Sequence, residues 1–449
     1  MSSGEQLHSV DAFMEWLTPL HPGEEEFHQA VRGVVRNVLE DAREHEGFRE
    51  SRILQRLTEP DRSISFRVVW VDDDGVPQIN RGYRVQHSNA LGPYKGGLRF
   101  DASVNPGVLK FLAFEQLFKN SLTGLNLGAG KGGSDFDPNG RSDAEIMRFC
   151  HAFMSELYRH IGQMTDVPAG DIGVGSREIG FLFGQYKRLE NSFSGALTGK
   201  AVGAGGSCLR TEATGYGAIY LLCAMLDEQD EEIDGKRIAI SGAGNVALHA
   251  AEKACAAGGI VTTVSNRDGL LRKDDGLSAE DIETIKIDYA DGKDLAEIAA
   301  AISAQWSAGE SPWATEYDIA VPAATQNEID ENDAGSLIDN NCKVVVEAAN
   351  MPLTEAAGRR LSDAGVLIAP GKAANAGGVA VSGFEMSQNQ LGRSWSKDRL
   401  DNELRDIMKE IFSRCKEFGE QDDQTDYRRG ADRAGFNRVA NAVLAFGAM

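Results

Sequence analysis

The sequence predicts an α/β protein of two domains. Its 449 residues exceed what one ordinary hydrophobic core organises. Past about residue 203, short apolar runs alternate with helix-patterned stretches, the pattern of a parallel sheet with crossover helices. A glycine-rich turn, Gly242-Ala243-Gly244-Asn245-Val246-Ala247, directly follows one of those runs. The hydrophobic fraction of 42% and charged fraction of 25% are those of a folded globular chain.

Composition narrows the classes of function. With Asp+Glu 68 against Lys+Arg 46 the net charge is -22, so the surface repels phosphate backbones and anionic membranes, and neither nucleic acid nor a membrane is expected as a partner. Cys150, Cys208, Cys223, Cys255, Cys342 and Cys415 share no CxxC spacing and read as reduced core thiols, neither a disulfide framework nor a metal site. The N-terminal MSSGEQLHSVDAF lacks the basic start and apolar core of an export signal, and no apolar run reaches about 18 residues, which points to the cytoplasm.

Helical spacing of Phe27, Val31, Val34, Val35 and Leu39 marks a surface or subunit-contact helix. Alternation from Ile64 to Val71, a turn at Asp73-Asp74-Gly75 and a second run from Gln78 to Gln86 predict a β-hairpin. Asn105-Pro106 caps a helix running through Ser121, on which Gln116 and Lys119 share a face and Lys110 falls opposite as a solvated charge. Ser142 and Glu145 form a capping-box pattern opening another helix, with Ile146, Phe149, Cys150, Phe153 and Leu157 as its core stripe. The parallel sheet should use Ile238–Ser241, Ile260–Val264, Ile319–Val321, Val344–Val346 and Val366–Ile368. The last stretch is helical again, with Leu400, Leu404, Ile407, Ile411 and Phe418 on one face, and part of it is expected to return to the first domain.

The turn at Gly242 fits a dinucleotide site. It matches G-x-G-x-x-G/A between a strand, Arg237 to Ser241, and a helix, Leu248 to Ala257, so Gly242 and Gly244 let the backbone approach a pyrophosphate while the helix start favours negative charge. The next strand ends in Ser265-Asn266-Arg267-Asp268, where an enzyme for NAD usually has an acid at the position of Asn266. Without it a 2′-phosphate is not repelled and Arg267 can pair with it, so NADP is expected over NAD, which stays possible. Arg267 reads equally as a solvated loop charge, Asp268 as a displaced acid, and Lys286 as a weaker candidate for the phosphate.

No lysine precedes Lys95, and then Lys95, Lys110, Lys119 and Lys131 follow closely, cations that an acidic chain has gathered as if around an anion. Lys131 lies in Gly128-Ala129-Gly130-Lys131-Gly132-Gly133, which fails as a triphosphate loop because Leu125 and Gly132 stand where that loop needs Gly and Ser/Thr. The flanking glycines would instead admit a substrate to the amine, and desolvation beside other cations would lower its pKa toward neutrality, suiting it to polarise a carbonyl or activate water. A surface lysine on a flexible glycine loop is the competing reading. Asp171 lies in Pro168-Ala169-Gly170-Asp171-Ile172-Gly173-Val174-Gly175, read as a shaped loop because Pro and Gly disfavour helix and central strand.

Six ordered motifs carry a resemblance: GYRVQHSNALGPYKGGLRF from Gly82, LKFLAFEQLFKN from Leu109, GKGGSDFDP from Gly130, PAGDIGVG from Pro168, RTEATGYG from Arg210 and APGKAANAGGVAVSGFEM from Ala369. Together they resemble the hexameric glutamate dehydrogenases of the Glu/Leu/Phe/Val dehydrogenase family over nearly the whole chain. The resemblance implies that Lys95 and Ser382 bind the side-chain carboxylate of L-glutamate or 2-oxoglutarate, that Gln116 and Lys119 help hold the carboxylates with Lys119 on the α-carboxylate, and that Gly170 lines the site through its backbone. It implies Lys131 as the catalytic amine, Asp171 as the group moving protons to and from the nitrogen, and Thr214, Asn245, Asn350 and Asn375 at the cofactor. It further implies reversible deamination to 2-oxoglutarate and ammonia, a homohexamer, a substrate-binding and oligomerisation domain over 1–202, a Rossmann-like domain over 203–424 with a cleft between them, and a C-terminal helix, 425–449, returning to the first domain. Gly203 to Gly206 is the candidate hinge. The chain departs from the family at Ala129, where glycine is common, and at Asn266. A dehydrogenase of leucine, valine or phenylalanine type, which should lack the Lys95 and Ser382 pair, and a catalytically silent dinucleotide-binding regulator are the alternatives.

Overall fold

The computed structural model describes residues 8–421 and 424–447. Its contacts group the chain into two compact units, Met1–Cys208 with Val381–Leu400 and Asp432–Met449, and Leu209–Ala380 with Asp401–Ala431. The parts of the chain that return to the first unit are 381–400 and 432–449, so the helix Tyr427–Phe446 joins it only from Asp432 and not from the expected 425. Hydrogen bonds explain the return of 381–400: Glu385 accepts from the Gly199 N–H at 2.9 Å and the Lys200 ammonium at 2.8 Å, and the Gln388 amide donates to Ser207 Oγ at 3.2 Å.

The first unit is built on a five-stranded sheet, β1 (Arg62–Val71), β2 (Pro77–Ser88), β3 (Tyr94–Phe100), β4 (Ala129–Ser134) and β5 (Asp166–Gly170), in the order β1-β2-β4-β3-β5. β1 and β2 form the expected hairpin, closed by the Asp72 carboxylate, which accepts from the Asp74 and Val76 N–H groups at 3.1 and 2.8 Å. β2 runs antiparallel to β4, and β4, β3 and β5 are parallel. Pleating separates two faces. The even-numbered side chains Val68, Trp70, Leu98 and Phe100 join Ile146, Phe149, Phe153, Ile179 and Leu182 of the helices Asp143–Leu157 and Ser176–Glu190 in one core. On the other face Tyr83 and Val85 pack on Leu109 and Ala113 of the helix Pro106–Leu122, whose Asn105 cap accepts from the Val108 N–H at 3.0 Å. Val85 is in register with Lys131, so the lysine stands on this second face.

Three readings change here. The glycine segment around Lys131 is a buried interior strand, β4, and Asp166–Gly170 is the edge strand β5. Proline is tolerated at an edge, and the outward Pro168 carbonyl still accepts the Thr198 N–H at 3.0 Å. The loop proper begins at Asp171. Lys110 is not solvated either: its ammonium pairs with Glu24 at 2.6 Å, contacts His21 Nδ1 at 3.0 Å and lies 5.4 Å from the Phe27 ring centre. That cluster binds the helix Glu25–Glu44, which buries Phe27, Val31, Val34, Val35 and Val38, to the helix Pro106–Leu122.

The second unit is a seven-stranded sheet, β6 (Arg237–Ile240), β7 (Ile260–Ser265), β8 (Gly269–Arg272), β9 (Gln305–Ala308), β10 (Ile319–Val321), β11 (Val344–Val346) and β12 (Leu367–Ala369), in the order β12-β11-β10-β6-β7-β8-β9. β12, β11, β10, β6 and β7 are parallel, as the alternation predicts. β8 and β9 are antiparallel additions at one edge that their short, mixed sequences did not announce. The order reverses between β6 and β10, which places the crevice for a ligand at the carboxyl ends of those strands. Among the described residues no helix is long and apolar enough to cross a membrane, no group of His, Cys, Asp and Glu could hold a metal ion, and all six cysteines are free.

His87 on β2 is fully buried, with Nε2 against the Leu57 carbonyl at 2.9 Å and Nδ1 unpartnered. Burial, then the charge of Lys110, against the hydrogen bond to Leu57, brings its pKa down to about 4 from 6.5. The neutral ring's contribution is therefore complete above pH 6.5 and is lost as pH falls toward 4, on the order of 3 kcal/mol across that window. Urea unfolding at several pH values should show wild-type stability falling between pH 6.5 and 4 more steeply than that of His87→Gln.

Candidate active site

Lys131 and Asp171 meet. The Lys131 ammonium donates to Asp171 Oδ2, while Asp171 Oδ1 accepts from Arg99 Nε at 3.0 Å and from the Ile172 N–H at 2.6 Å. The sequence reading set Lys131 beside other cations; the structure puts a carboxylate against it instead. Burial works to raise the Asp171 pKa, but the Lys131 ammonium, the Arg99 guanidinium and the Lys131 and Ile172 hydrogen bonds outweigh it and hold the carboxyl well below the ordinary carboxylate range. Asp171 starts the loop beyond β5 and must cross β3 to reach β4. Gly97 on β3 leaves the gap: a β-carbon there would lie 2.7 Å from the Gly170 carbonyl oxygen and 2.9 Å from Asp171 Cβ.

A second ion pair crosses the opposite face of the same sheet. Arg84 on β2 and Asp166 on β5, both fully buried, form a bidentate pair with Nε to Oδ2 at 2.9 Å, and Gln86 Nε2 donates to the same oxygen at 2.9 Å. The guanidinium lies over β4. A β-carbon on Gly130 would come 3.3 Å from Arg84 Nη2, and one on Gly132 would come 3.0 Å from Arg84 Cδ, 2.7 Å from the Tyr83 carbonyl oxygen and 2.8 Å from Leu98 Cδ2. The glycines flanking Lys131 thus make room for Arg84 and the neighbouring strands. Ala129, at the head of β4 opposite Ser88, is buried and outside that path.

Lys95 on β3 is 2% exposed and donates to Thr198 Oγ1 at 2.7 Å, and Thr198 Oγ1 lies 3.4 Å from Ser382 Oγ, itself 2% exposed. The structure therefore gathers one ammonium and two hydroxyls in a buried polar pocket. Gln116 donates to Asn120 Oδ1 at 2.6 Å, and Asn120 in turn donates to the Lys95 carbonyl at 3.1 Å, which ties the helix carrying Gln116 and half-buried Lys119 to β3. Gly170 ends β5 opposite Leu98, and its α-carbon has the Val174 carbonyl against it, so no side chain fits.

In the second unit Gly242 has φ +87, a left-handed conformation that favours glycine, and its N–H donates to Ser265 Oγ at 3.2 Å. Gly244 caps the helix Asn245–Ala256 without a side-chain acceptor, so the first-turn N–H groups, those of Asn245 and Val246 among them, are available to an anion. Asn245 Nδ2 holds the Thr211 carbonyl at 2.6 Å, just before Thr214 in the first turn of the helix Ala213–Asp227. Gly215 lets these two helices touch, since a β-carbon there would lie 2.6 Å from the Val246 carbonyl oxygen. Asn375 Nδ2 donates to Asn350 Oδ1 at 2.9 Å beyond β12 and β11, and Asn375 Oδ1 is buried with no protein hydrogen bond. Asn266, expected at the cofactor, closes its own turn, its Oδ1 accepting the Asp268 and Gly269 N–H groups at 2.9 and 3.2 Å. That turn leaves Arg267 exposed with no side-chain hydrogen bond or ion pair among the described residues. Lys286 is held by Glu252 at 2.8 Å.

The uncapped helix start, the unpaired Asn375 oxygen and exposed Arg267 fit a phosphorylated dinucleotide. Residues 205–447 match the family model described as Glutamate/Leucine/Phenylalanine/Valine dehydrogenase, and residues 60–188 the one described as Glu/Leu/Phe/Val dehydrogenase, dimerisation domain. The chain belongs to the glutamate/leucine/phenylalanine/valine dehydrogenase family. It is 51% identical to an NADP-specific glutamate dehydrogenase of Psychrobacter sp. (strain TAD1), over 98% of this chain and 99% of that one. It is 50% identical to an NAD-specific glutamate dehydrogenase of Bacteroides fragilis (strain YCH46), over 98% and 99%. The crystal structure of Plasmodium falciparum glutamate dehydrogenase superposes with a TM-score of 0.96 at 44% identity, covering 100% of this chain and 96% of that one.

Within this family fold the sequence reading missed Thr198, Arg99, Asn120 and the Arg84–Asp166 pair. Arg99 had a signal, since Lys95, Gly97 and Arg99 alternate along one strand. Thr198 had none, standing 103 residues from Lys95.

Because Gly132 faces backbone and Arg84, Gly132→Ala should lower stability by about 1–3 kcal/mol through overpacking. Gly33→Ala, in the helix Glu25–Glu44 with nothing within 4 Å of the added carbon, should raise stability by about 0.5–1 kcal/mol. Urea midpoints of the two variants should move in opposite directions from wild type.

Proposed function

We propose that this amino-acid dehydrogenase is an NADP-dependent glutamate dehydrogenase, catalysing L-glutamate + NADP⁺ + water ⇌ 2-oxoglutarate + ammonia + NADPH and assimilating ammonium in the reductive direction. The observation that carries the reading is the buried group of Lys95, Thr198 and Ser382. A buried ammonium bonded to one hydroxyl, with a second hydroxyl beyond it, complements a carboxylate, whereas the side chain of leucine, valine or phenylalanine would be driven against buried polar groups. The glutamate dehydrogenases among its relatives support the same substrate.

In the reductive direction Lys119 and Gln116 hold the α-carboxylate and Lys95 the distal one, which fixes the keto carbon near Lys131. The Lys131 ammonium polarises the keto oxygen as ammonia adds. Asp171, kept ionised by Lys131 and Arg99, takes a proton from the added nitrogen and returns one to the departing hydroxyl through the carbinolamine, giving the iminium. Bound NADPH supplies the hydride that reduces it. The amides at the start of the helix Asn245–Ala256 would hold the pyrophosphate, with Thr214, Asn350 and Asn375 toward the nicotinamide end and Arg267 toward the 2′-phosphate. NAD remains a usable coenzyme.

A cytoplasmic homohexamer is part of this reading. On the face of the β1–β2 hairpin away from its core, Val69, Val71 and Ile79 are exposed at 48%, 42% and 70%. Such a patch at a sheet edge suits contact with a second copy of the chain.

Purified protein should oxidise NADPH with 2-oxoglutarate and ammonia. Lys131→Ala and Asp171→Asn should keep the fold and lose about 10²–10⁴-fold in turnover, and near-normal rates would refute their roles. Lys95→Leu should reduce kcat/KM for glutamate about 100-fold or more while changing that for norvaline far less. Arg267→Ser should raise KM for NADPH about 10-fold and leave NADH nearly unchanged; equal effects on both would place Arg267 away from the phosphate.

A further inference from the structure

Asp171 has two oxygens with different company. Oδ2 faces Lys131, whose proton takes part in the reaction; Oδ1 faces Arg99, whose charge is permanent at any working pH. Arg99 is itself fixed. It sits on β3 between two backbone contacts, since Gly133 on β4 abuts the Arg99 carbonyl and the next residue, Phe100, donates its N–H to the Ile172 carbonyl at 2.9 Å. The same strand therefore latches both ends of the short segment Asp171–Ile172, one by a side chain and one by backbone. Beyond it a surface pocket of about 330 Å³, lined by Asp171 with Pro138, Asn139, Gly173 and Arg177, gives the carboxylate a path to solvent.

We propose that Arg99 is a positioning residue for the reaction: its guanidinium clamps the Oδ1 edge of Asp171, keeps Oδ2 aimed at Lys131, and supplies the positive charge that keeps Asp171 an acceptor when Lys131 has given up its proton. The inference rests on the catalytic reading of Lys131 and Asp171. Lys131 alone could not do both jobs. If it were the single cation beside Asp171, each loss of its proton would raise the carboxylate's basicity at the moment when Asp171 must still release a proton to the leaving hydroxyl. A fixed second charge limits that swing.

The other charged groups around this pair leave Arg99 in that role. Arg177 and Glu178, on the helix packed beside the loop, pair with each other at 2.5 Å, and Arg177 also pairs with Asp143 at 2.6 Å. Asp101, two residues along from Arg99, is occupied by the Ser103 hydroxyl and N–H at 2.5 and 2.9 Å. Arg99 is the guanidinium bonded to Asp171.

The test is the pH dependence of kcat/KM for glutamate in wild type, Arg99→Gln and Arg99→Lys, with circular dichroism and thermal melting to verify folding. Wild-type turnover and its loss in Asp171→Asn establish the catalytic reading first; an inactive wild type overturns that reading and this inference with it. Given an active wild type, folded Arg99→Gln should move the acid limb upward by about one pH unit or more and lower kcat with little change in KM for glutamate. Arg99→Lys should restore the limb toward wild type by returning the charge, yet leave kcat below it because a single ammonium does not reproduce the Nε clamp. An unmoved acid limb in folded Arg99→Gln would overturn the proposal, and so would a rise in KM with kcat unchanged, which would make Arg99 a substrate contact. Should Arg99→Gln fail to fold, Arg99→Lys decides alone: wild-type kcat and an unmoved limb overturn the proposal, and reduced kcat at an unmoved limb and KM supports it.

Discussion

Two ion pairs cross the five-stranded sheet on opposite faces, and both need glycine beneath them. Arg84 reaches from β2 to Asp166 on β5 over Gly132 of β4, and Asp171 reaches back from the end of β5 to Lys131 on β4 past Gly97 of β3. Neither pair is local, yet each fixes one partner of the proposed chemistry. Asp166 anchors the edge strand whose next turn carries Asp171, and Arg84 lies against the strand that carries Lys131. Breaking the buried Arg84–Asp166 pair by removing one member would leave an uncompensated charge, an effect of about 3–5 kcal/mol. The register of β4 between β2 and β3 therefore depends on that charge as much as on the ladder hydrogen bonds, and a shift of one residue would turn Lys131 to the other face.

This dependence explains what was legible in the sequence and what was not. The hairpin, the five parallel strands of the second unit, the capping box at Ser142 and the nucleotide turn are all encoded by neighbours within a few residues. Periodicity, caps and a positive-φ glycine suffice for those. The strand Ala129–Ser134 could not be read that way, because glycine weakens strands on average and the reason for it here is Arg84, 46 residues before Gly130 in the chain. Lys110 looked solvated because its helix position was judged without Glu24 and His21, which arrive from a different segment. The candidate site residues were named from motifs, but their hydrogen-bond partners, Thr198, Arg99 and Asn120, come from elements that only the fold brings near.

The acidic balance of the chain bears on the same site. A net charge of -22 lowers the potential over the surface and favours protons and cations everywhere. Holding Asp171 ionised in such a field is harder than in a neutral protein, and the cations that do it are close and fixed, Lys131 and Arg99 at hydrogen-bond range. Many of the other cations are spent in surface pairs such as Lys286 with Glu252, Lys293 with Asp288 and Arg148 with Asp73, which are worth little individually. Local arrangement, and not net charge, sets the electrostatics around Asp171.

Under the proposed reading, substrate and coenzyme selection are built with different rigidity. The pocket of Lys95, Thr198 and Ser382 is buried on every side chain and tied to two backbone segments, so changing the ligand class means repairing desolvated polar groups. Under the proposed reading, coenzyme choice falls to the short turn between β7 and β8, in which Asn266 satisfies the backbone and Arg267 is exposed. An acid in place of exposed Arg267 would repel a 2′-phosphate without disturbing the sheet. Relatives named for NADP and for NAD stand at nearly equal identity to this chain, 51% and 50%, so overall identity does not separate the two coenzymes.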